Sequence, residues 1–304
     1  MRMPKWLIYC TASMLIWAIW SLVSPIASRD LSGSMVQILS SAGLLPFAIL
    51  LLLSKNLRKA TSLRKGLSLA LATGVTAGLG NVMLYDALGL NGPVSLVFPI
   101  ISLAPLIPVL AAPFLFKEKI HASQAFGIAV ALAAIVLLNM TPASATTTAS
   151  ISLFSSWMLY ALLSLVIFGI TFITQKGATY FISDELSTIA YTVGFILLDF
   201  VLVLSDRSLS WKIPPKAGWV SVFIGVLMGL GTLTLFAAYR YGKASIVTPF
   251  SQLYPIITVL AGVQFYHEPI DLRRGIGIVA AVAAGIILSL EKGNPPAALE
   301  TAGG

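Results

Sequence analysis

The chain has 304 residues, of which 58% are hydrophobic and only 10% charged, against the roughly 25% charge of an average soluble domain; its mean hydropathy is +0.94. That composition excludes a soluble enzyme and fits an integral membrane protein. The net charge of +8 is no sign of a nucleic-acid partner, because the 19 Lys and Arg fall almost wholly between apolar runs, where they orient a chain against the bilayer.

Ten apolar runs predict ten membrane spans. The first, 6–26, follows MRMPK and is too long for a signal peptide and lacks a small-residue cleavage site, so it is read as a retained span. Spans at 34–54, 67–88, 94–116 and 121–140 complete a first unit at 1–140. A polar linker at 141–151 leads to a second unit at 152–290, with spans at 152–174, 185–204, 217–240, 244–266 and 270–290. Residues 291–304, with Pro295 and Pro296, read as a disordered tail. Alternate gaps hold 13 Lys and Arg on the N-terminal side and six on the other, which predicts a multi-pass protein of the cell membrane with both termini cytoplasmic. The single cysteine, Cys10, lies inside the first span and leaves no thiolate metal site.

The two units repeat each other. Residues 95–118 return at 245–268 with 10 of 24 positions identical, among them Pro105/Pro255 and Glu118/Glu268. Upstream the offset is 151 residues: Trp6 and Tyr9 fall on Trp157 and Tyr160, and Gly74, Gly78 and Gly80 on Gly225, Gly229 and Gly231. Because each unit crosses the membrane five times, the second copy must enter it inverted. The predicted fold class is therefore all-α integral membrane, ten transmembrane helices in two inverted five-helix repeats.

These residues carry a resemblance. Ala87-Leu88, Pro105, Glu118 and Gly127, answered by Pro255, Glu268 and Gly277, with Trp17 and Trp20 in the first span, resemble the drug/metabolite transporter superfamily, in its ten-span type built from two EamA repeats. The resemblance covers nearly the whole chain. It implies carriage of amino acids, drugs, sugars or other small metabolites across a membrane. One departure is that Asp86 faces Ala237 across the repeat and Pro93 faces Ala244, so the halves need not serve a solute equally.

Candidate site residues follow from helical spacing. A proline inside a span strands the carbonyl four residues earlier, so Pro105 is expected to free Ile101 C=O and Pro255 to free Ser251 C=O. Both prolines fall at the middle of their spans and are candidate hinges. Ser13, Trp17, Trp20 and Ser24 share a face, as do Ser164, Phe168, Thr171 and Gln175 at the aligned positions. Ser245, Thr248, Gln252 and Pro255 share another, and Gly74, Gly78, Asn81 and Tyr85 a fourth. Trp17, Trp20, Asn81, Tyr85, Phe168, Thr171, Thr248 and Gln252 are the expected substrate-binding set, although Ser and Thr also bond their own helix's carbonyls and the glycine pairs also serve close packing. Trp6 and Trp157, near span ends, fit an aromatic belt.

Asp199 and Asp86 are the acids inside apolar runs and are candidates for proton or cation coupling; Asp86 also fits a helix-end cap. Glu118 and Glu268, at opposite faces, read either as helix-end charges paired with Lys119 or Arg273 or as latches for two gates. His121 and His267 lie at span ends with no catalytic or metal-binding spacing, so no catalytic residues, metal or cofactor are expected. The expected partners are a small-molecule substrate and the lipid bilayer, with no nucleic acid; proton coupling and a homodimer stay open. The expected activity is secondary transport of a small amphipathic metabolite by alternating access, in the export direction. A non-transporting membrane scaffold or sensor subunit and a flippase for a lipid-linked substrate are the alternatives.

Overall fold

The computed structural model describes residues 3–28, 30–90, 100–101, 103–139, 156–205, 209–254, 256–257 and 272–289. Pro255, Glu268, the 141–151 linker and the 291–304 tail lie outside the described residues. Within them run ten α-helices: α1 (Lys5–Ser28), α2 (Gly33–Leu51), α3 (Leu63–Gly89), α4 (Leu106–Leu115), α5 (Ala122–Asn139), α6 (Ser156–Ala178), α7 (Asp184–Ser205), α8 (Pro215–Tyr241), α9 (Ala244–Ser251) and α10 (Leu272–Ser289). A 3-10 turn, Lys55–Arg58, follows α2. Six helices, α1–α3 and α6–α8, are long and apolar enough to cross a membrane. With 10 and 8 residues, α4 and α9 are too short to span a hydrocarbon core that needs about 20.

Local chemistry starts these helices where the chain needs them. Ser32 caps α2 by accepting from Met35 N–H, and Ser183 Oγ accepts from Leu186 N–H at 3.2 Å to open α7. Asp184 and Glu185 occupy the first turn of α7, where the helix dipole favours negative charge. Pro215 opens α8, at a position whose missing N–H costs no hydrogen bond. Outward-facing apolar side chains such as Phe114, 84% exposed, and Val279, 70% exposed, present the surface a lipid phase solvates and water does not.

Packing runs between the halves. α1 lies against α8 as α6 lies against α3, and α2 crosses α8 as α7 crosses α3; adding 151 to the first partner, and subtracting it from the second, turns each contact into its twin. The correspondence reaches single atoms. A β-carbon at Gly225 would run into the Ser40 carbonyl oxygen, and one at Gly74 into that of Tyr191. Gly43 meets the Val222 carbonyl in the same way, and Gly194 that of Leu71. Only glycine lets backbones approach so closely, the usual basis of tight helix crossings in lipid. Since the operation exchanges the halves, it is a pseudo-two-fold. α5 and α10 pack on each other and on α9, to one side of the six long helices.

Two expectations are corrected here. The carbonyl of Ile101 is not stranded: a tight turn at residues 103–105 lets Ala104 N–H donate to it at 2.9 Å. Trp6 does not sit in an interfacial belt. It is 1% exposed and meets the Phe250 ring edge-on at 5.8 Å, inside the bundle.

Candidate substrate cavity

At the centre of the bundle lies a cavity of ≈ 120 Å³, and its walls are largely made of residue pairs exchanged by the pseudo-two-fold. Trp17 and Phe168, Trp20 and Thr171, Ala77 and Met228, Asn81 and Thr232, and Leu84 and Leu235 all line it. The halves supply matching supports. Trp17 packs on Gly231 and Phe168 on Gly80, where a β-carbon would lie 3.1 Å and 2.9 Å from the respective rings. Ser13 Oγ donates to the Gly231 carbonyl at 3.2 Å and Ser164 Oγ to that of Gly80 at 2.9 Å, fixing the glycines under the rings.

The turns beside α4 and α9 reach the same space. α9 stops at Ser251 and a turn at 252–254 follows, as the turn at 103–105 precedes α4; Gln252 and Tyr254 line the cavity from one, Ile101 and Ala104 from the other. Gln252 N–H bonds back to Thr248 C=O at 3.2 Å, so the break aims its side chain without leaving that amide unpaired. Trp17 and Trp20 stand edge to face at 5.7 Å. The Trp17 indole nitrogen is buried without a hydrogen-bond partner among the described residues, an unmet donor in the cavity wall. No Asp, Glu, Lys, Arg or His is among the described lining residues. The site offers aromatic faces, amides and hydroxyls, a chemistry suited to a small solute without net charge.

Of the eight residues expected to bind substrate, Trp17, Trp20, Asn81, Phe168, Thr171 and Gln252 line this cavity. Tyr85 instead covers Gly33 at the start of α2. Thr248 is buried and not part of the wall, its hydroxyl donating to Ala244 C=O at 2.8 Å and paired with the Tyr239 hydroxyl at 2.8 Å. Asp86 is half-buried near the end of α3, where its backbone carbonyl accepts from Leu90 N–H at 2.9 Å. Pro105 precedes α4 with φ −57°, next to the cavity residue Ala104. Asp199 lies one layer behind the wall, bonded to Ser41 and Gln37.

The end of the bundle that holds the start of α9 is closed by buried charge. Glu118, 7% exposed, accepts from Ala244 N–H at 2.7 Å, Ser245 N–H at 3.1 Å and Ser245 Oγ at 2.8 Å. A first-half carboxylate thus caps a second-half helix, where the dipole and two orphan amides converge. Lys117, in the left-handed region at φ 53°, reverses the chain after α4 and aims Glu118 at its target. Beside it Lys176 Nζ donates to Gly242 C=O at 2.7 Å and to Tyr239 C=O at 2.5 Å. Arg240 is ion-paired with Asp184 at 2.6 Å and also donates to the Thr179 and Ile182 carbonyls. In the adjoining loop Tyr180 stacks under Lys176 Nζ, 5.1 Å from its ring; burial, with Glu118 nearby, pushes its phenol up to about 12 and keeps it neutral.

Comparison with known proteins decides the family. The model for the EamA-like transporter family matches this chain twice, over residues 4–140 and 155–290. The chain belongs to the EamA-like transporter family. Among its relatives, an uncharacterized transporter of Helicobacter pylori is 24% identical over 192 residues, 62% of each chain; the match spans less than two thirds of that protein's length. An uncharacterized transporter of a Sinorhizobium species is 28% identical over 137 residues, 44% of this chain and 95% of its own. A probable glucose uptake protein of Staphylococcus epidermidis is 29% identical over 128 residues, 36% of this chain and 44% of its own. One solved crystal structure superposes with a TM-score of 0.75 over 94% of this chain and 96% of its own at 16% identity, a likeness of fold alone. This EamA protein is a multi-pass membrane protein.

Three features of the EamA bundle escaped sequence reading. Lys176 and Arg240 are counted as charges of the gaps by their positions, yet they are 2% and 7% exposed; their acceptors are mostly main-chain carbonyls, which leave no trace in a sequence. Glu118 is held by the amides of α9 rather than by Lys119, whose carbonyl instead accepts from Lys243 Nζ at 3.0 Å. Tyr191 lines the cavity although its aligned partner, Ser40, is buried against Gly225; a search by repeat symmetry passes over it.

Proposed function

We propose that this protein is a secondary transporter that carries a small, amphipathic metabolite without net charge by alternating access. The observation that carries the reading is the composition of the cavity wall: six pairs of equivalent residues, the five named above and Ala104 with Tyr254, one of each pair from each half, with no charged side chain among them. A site built equally from two exchangeable halves is one that rocking the halves exposes first to one side and then to the other. In this reading α4 and α9 are the described parts of two interrupted spans, the chain crosses the membrane ten times with both termini inside, and the second half is inverted. The Glu118 cap with its Lys176 and Arg240 neighbours is the latch of the closed end. The similarity to a probable glucose uptake protein agrees with an uncharged solute. In such a carrier the gradients set the direction of net flux; export, the direction expected from the sequence, is measured by loading vesicles from either side.

The test is a thermal-shift screen of the purified protein against a panel of neutral and zwitterionic metabolites, followed by proteoliposome transport of the hits. Trp17→Ala and Gln252→Ala should remove both the stabilisation and the flux while leaving the unliganded protein folded. Unchanged transport by both variants would take the solute out of this cavity.

A further inference from the structure

Asp199 lies within α7, 6% exposed, and the two groups that hydrogen-bond it are neutral. Ser41 Oγ donates to its Oδ2 and Gln37 Nε2 to its Oδ1, the latter at 3.4 Å. Gln37 Oε1 in turn accepts from Asn81 Nδ2 at 3.4 Å, and Asn81 lines the cavity. A polar chain therefore runs from a buried carboxyl to the solute site through otherwise apolar packing.

The charges on neighbouring elements are placed elsewhere. α2 has none; α3 has Arg64 and Lys65 at its start and Asp86 at its end; α8 has Lys216 at its start and Arg240 at its end. Asp184, which pairs with Arg240, and Glu185, which accepts from Ser54 and Asn56 beside the 3-10 turn with its Lys55, begin α7, about 22 Å from Asp199 along the axis; Arg64 and Lys65 begin α3 at that same end. Asp86, Tyr85 and Lys216 belong to the near end, Tyr191 is two turns back on α7, and no ion pair to Asp199 occurs among the described residues. Nor is the network a by-product of duplication. The positions equivalent to Asp199, Gln37, Ser41 and Asn81 are Ala48, Thr188, Thr192 and Thr232, and the Thr188 and Thr192 hydroxyls donate to carbonyls of their own helix at 2.8 Å and 3.0 Å. One half alone carries the carboxyl.

A carboxyl inside a membrane bundle with no counter-charge among the described residues is costly to keep ionised, and the amide that bonds it can present either of two faces. Turned as it stands, Gln37 gives an N–H to an ionised carboxylate; turned over, it gives an oxygen to a protonated one. Asn81 holds the first arrangement by bonding Gln37 Oε1. We propose that Asp199 is a proton-binding site whose occupancy is coupled, through the Gln37 amide, to occupancy of the cavity at Asn81. This rests on the transporter reading above, and makes it a proton-linked one. A solute acceptor that takes the Asn81 amide releases Gln37, so solute and proton bind together, and by reciprocity a proton on Asp199 favours the solute.

The test needs no known solute. Dicyclohexylcarbodiimide reacts with protonated membrane carboxyls: the acid proton passes to a carbodiimide nitrogen as the carboxyl oxygen adds to its central carbon, and the adduct is located by peptide mass spectrometry. Labelling of Asp199 in the purified full chain is expected to fall as pH rises between 5 and 9, and Asp199→Asn to abolish that adduct. Asn81→Ala, which does not touch Asp199, should move the midpoint by about one pH unit, as should Gln37→Leu, while labelling of the end-of-helix acids stays put. Absence of an Asp199 adduct across that range, an unmoved midpoint in Asn81→Ala, or protection by sodium chloride but not choline chloride each overturns the proposal, the last by making the site a sodium site. Failure of this reading is separable from failure of the other. A protein that titrates as described but moves no solute refutes transport, and one whose panel ligands are carried while Asp199 is inert refutes the coupling.

Discussion

Removing the Glu118 carboxylate should unlatch the closed end, and Cys10 should report it. Glu118→Ala deletes three hydrogen bonds to a charged acceptor, those of Ala244 N–H, Ser245 N–H and Ser245 Oγ. Each is worth about 1.5–3 kcal/mol when fully buried, and water entering the opened end offsets part of that, leaving about 3 kcal/mol against the closed arrangement. At tenfold per 1.4 kcal/mol, the open population rises by about 100-fold. Glu118→Gln keeps one acceptor oxygen and loses the charge, for about 1.4 kcal/mol or roughly tenfold. Cys10 is the chain's single cysteine, 0% exposed, its thiol donating to Val247 C=O of α9 at 3.4 Å; displacing α9 uncovers it. The assay is the rate of Cys10 alkylation by N-ethylmaleimide, with Cys10→Ser as blank. Rates ordered wild type, Gln, Ala, with steps of that size, are expected. Equal rates in all three, with melting temperatures unchanged, would refute the latch.

Three further outcomes follow from the packing. Gly74→Ala and Gly225→Ala press a methyl into the Tyr191 and Ser40 carbonyls and should each lower stability by about 2–3 kcal/mol, read as a fall in melting temperature; Gly218→Ala, which meets one Ile213 methyl at 3.1 Å, should be nearly silent. Arg240→Met strips Asp184 of its buried partner and should cost about 3–5 kcal/mol, with Arg240→Met/Asp184→Asn recovering part of it in the same melt. Ser13→Ala and Ser164→Ala remove equivalent hydrogen bonds and should cost the same about 1 kcal/mol each; a large inequality would show that the two-fold is geometric but not energetic.

The parts legible in the sequence were those written in side-chain pattern. Apolar run length marked the six long helices, and the shift of 151 residues that pairs Gly74 with Gly225 also pairs the carbonyls they press against. Six cavity residues were found because Trp17, Trp20, Phe168 and Thr171 repeat at helical spacing and Asn81 and Gln252 are amides in apolar surroundings. What stayed hidden depends on main-chain atoms or on which neighbour arrives. Spacing put Tyr85 on the stripe of Asn81, but the absence of a side chain at Gly33 draws its ring to α2. The tight turn that satisfies Ile101 C=O, and the carbonyls that collect Lys176 and Arg240, have no residue signature at all.

The interleaving of the halves has a consequence for how the chain is made. α1 finds its main neighbour in α8 and α3 in α6, and the cap on α9 comes from Glu118, so neither repeat can reach its native contacts while its twin is missing. A gene cut within the 141–151 stretch should yield two fragments that are each degraded when expressed singly and that reconstitute a stable particle when produced together.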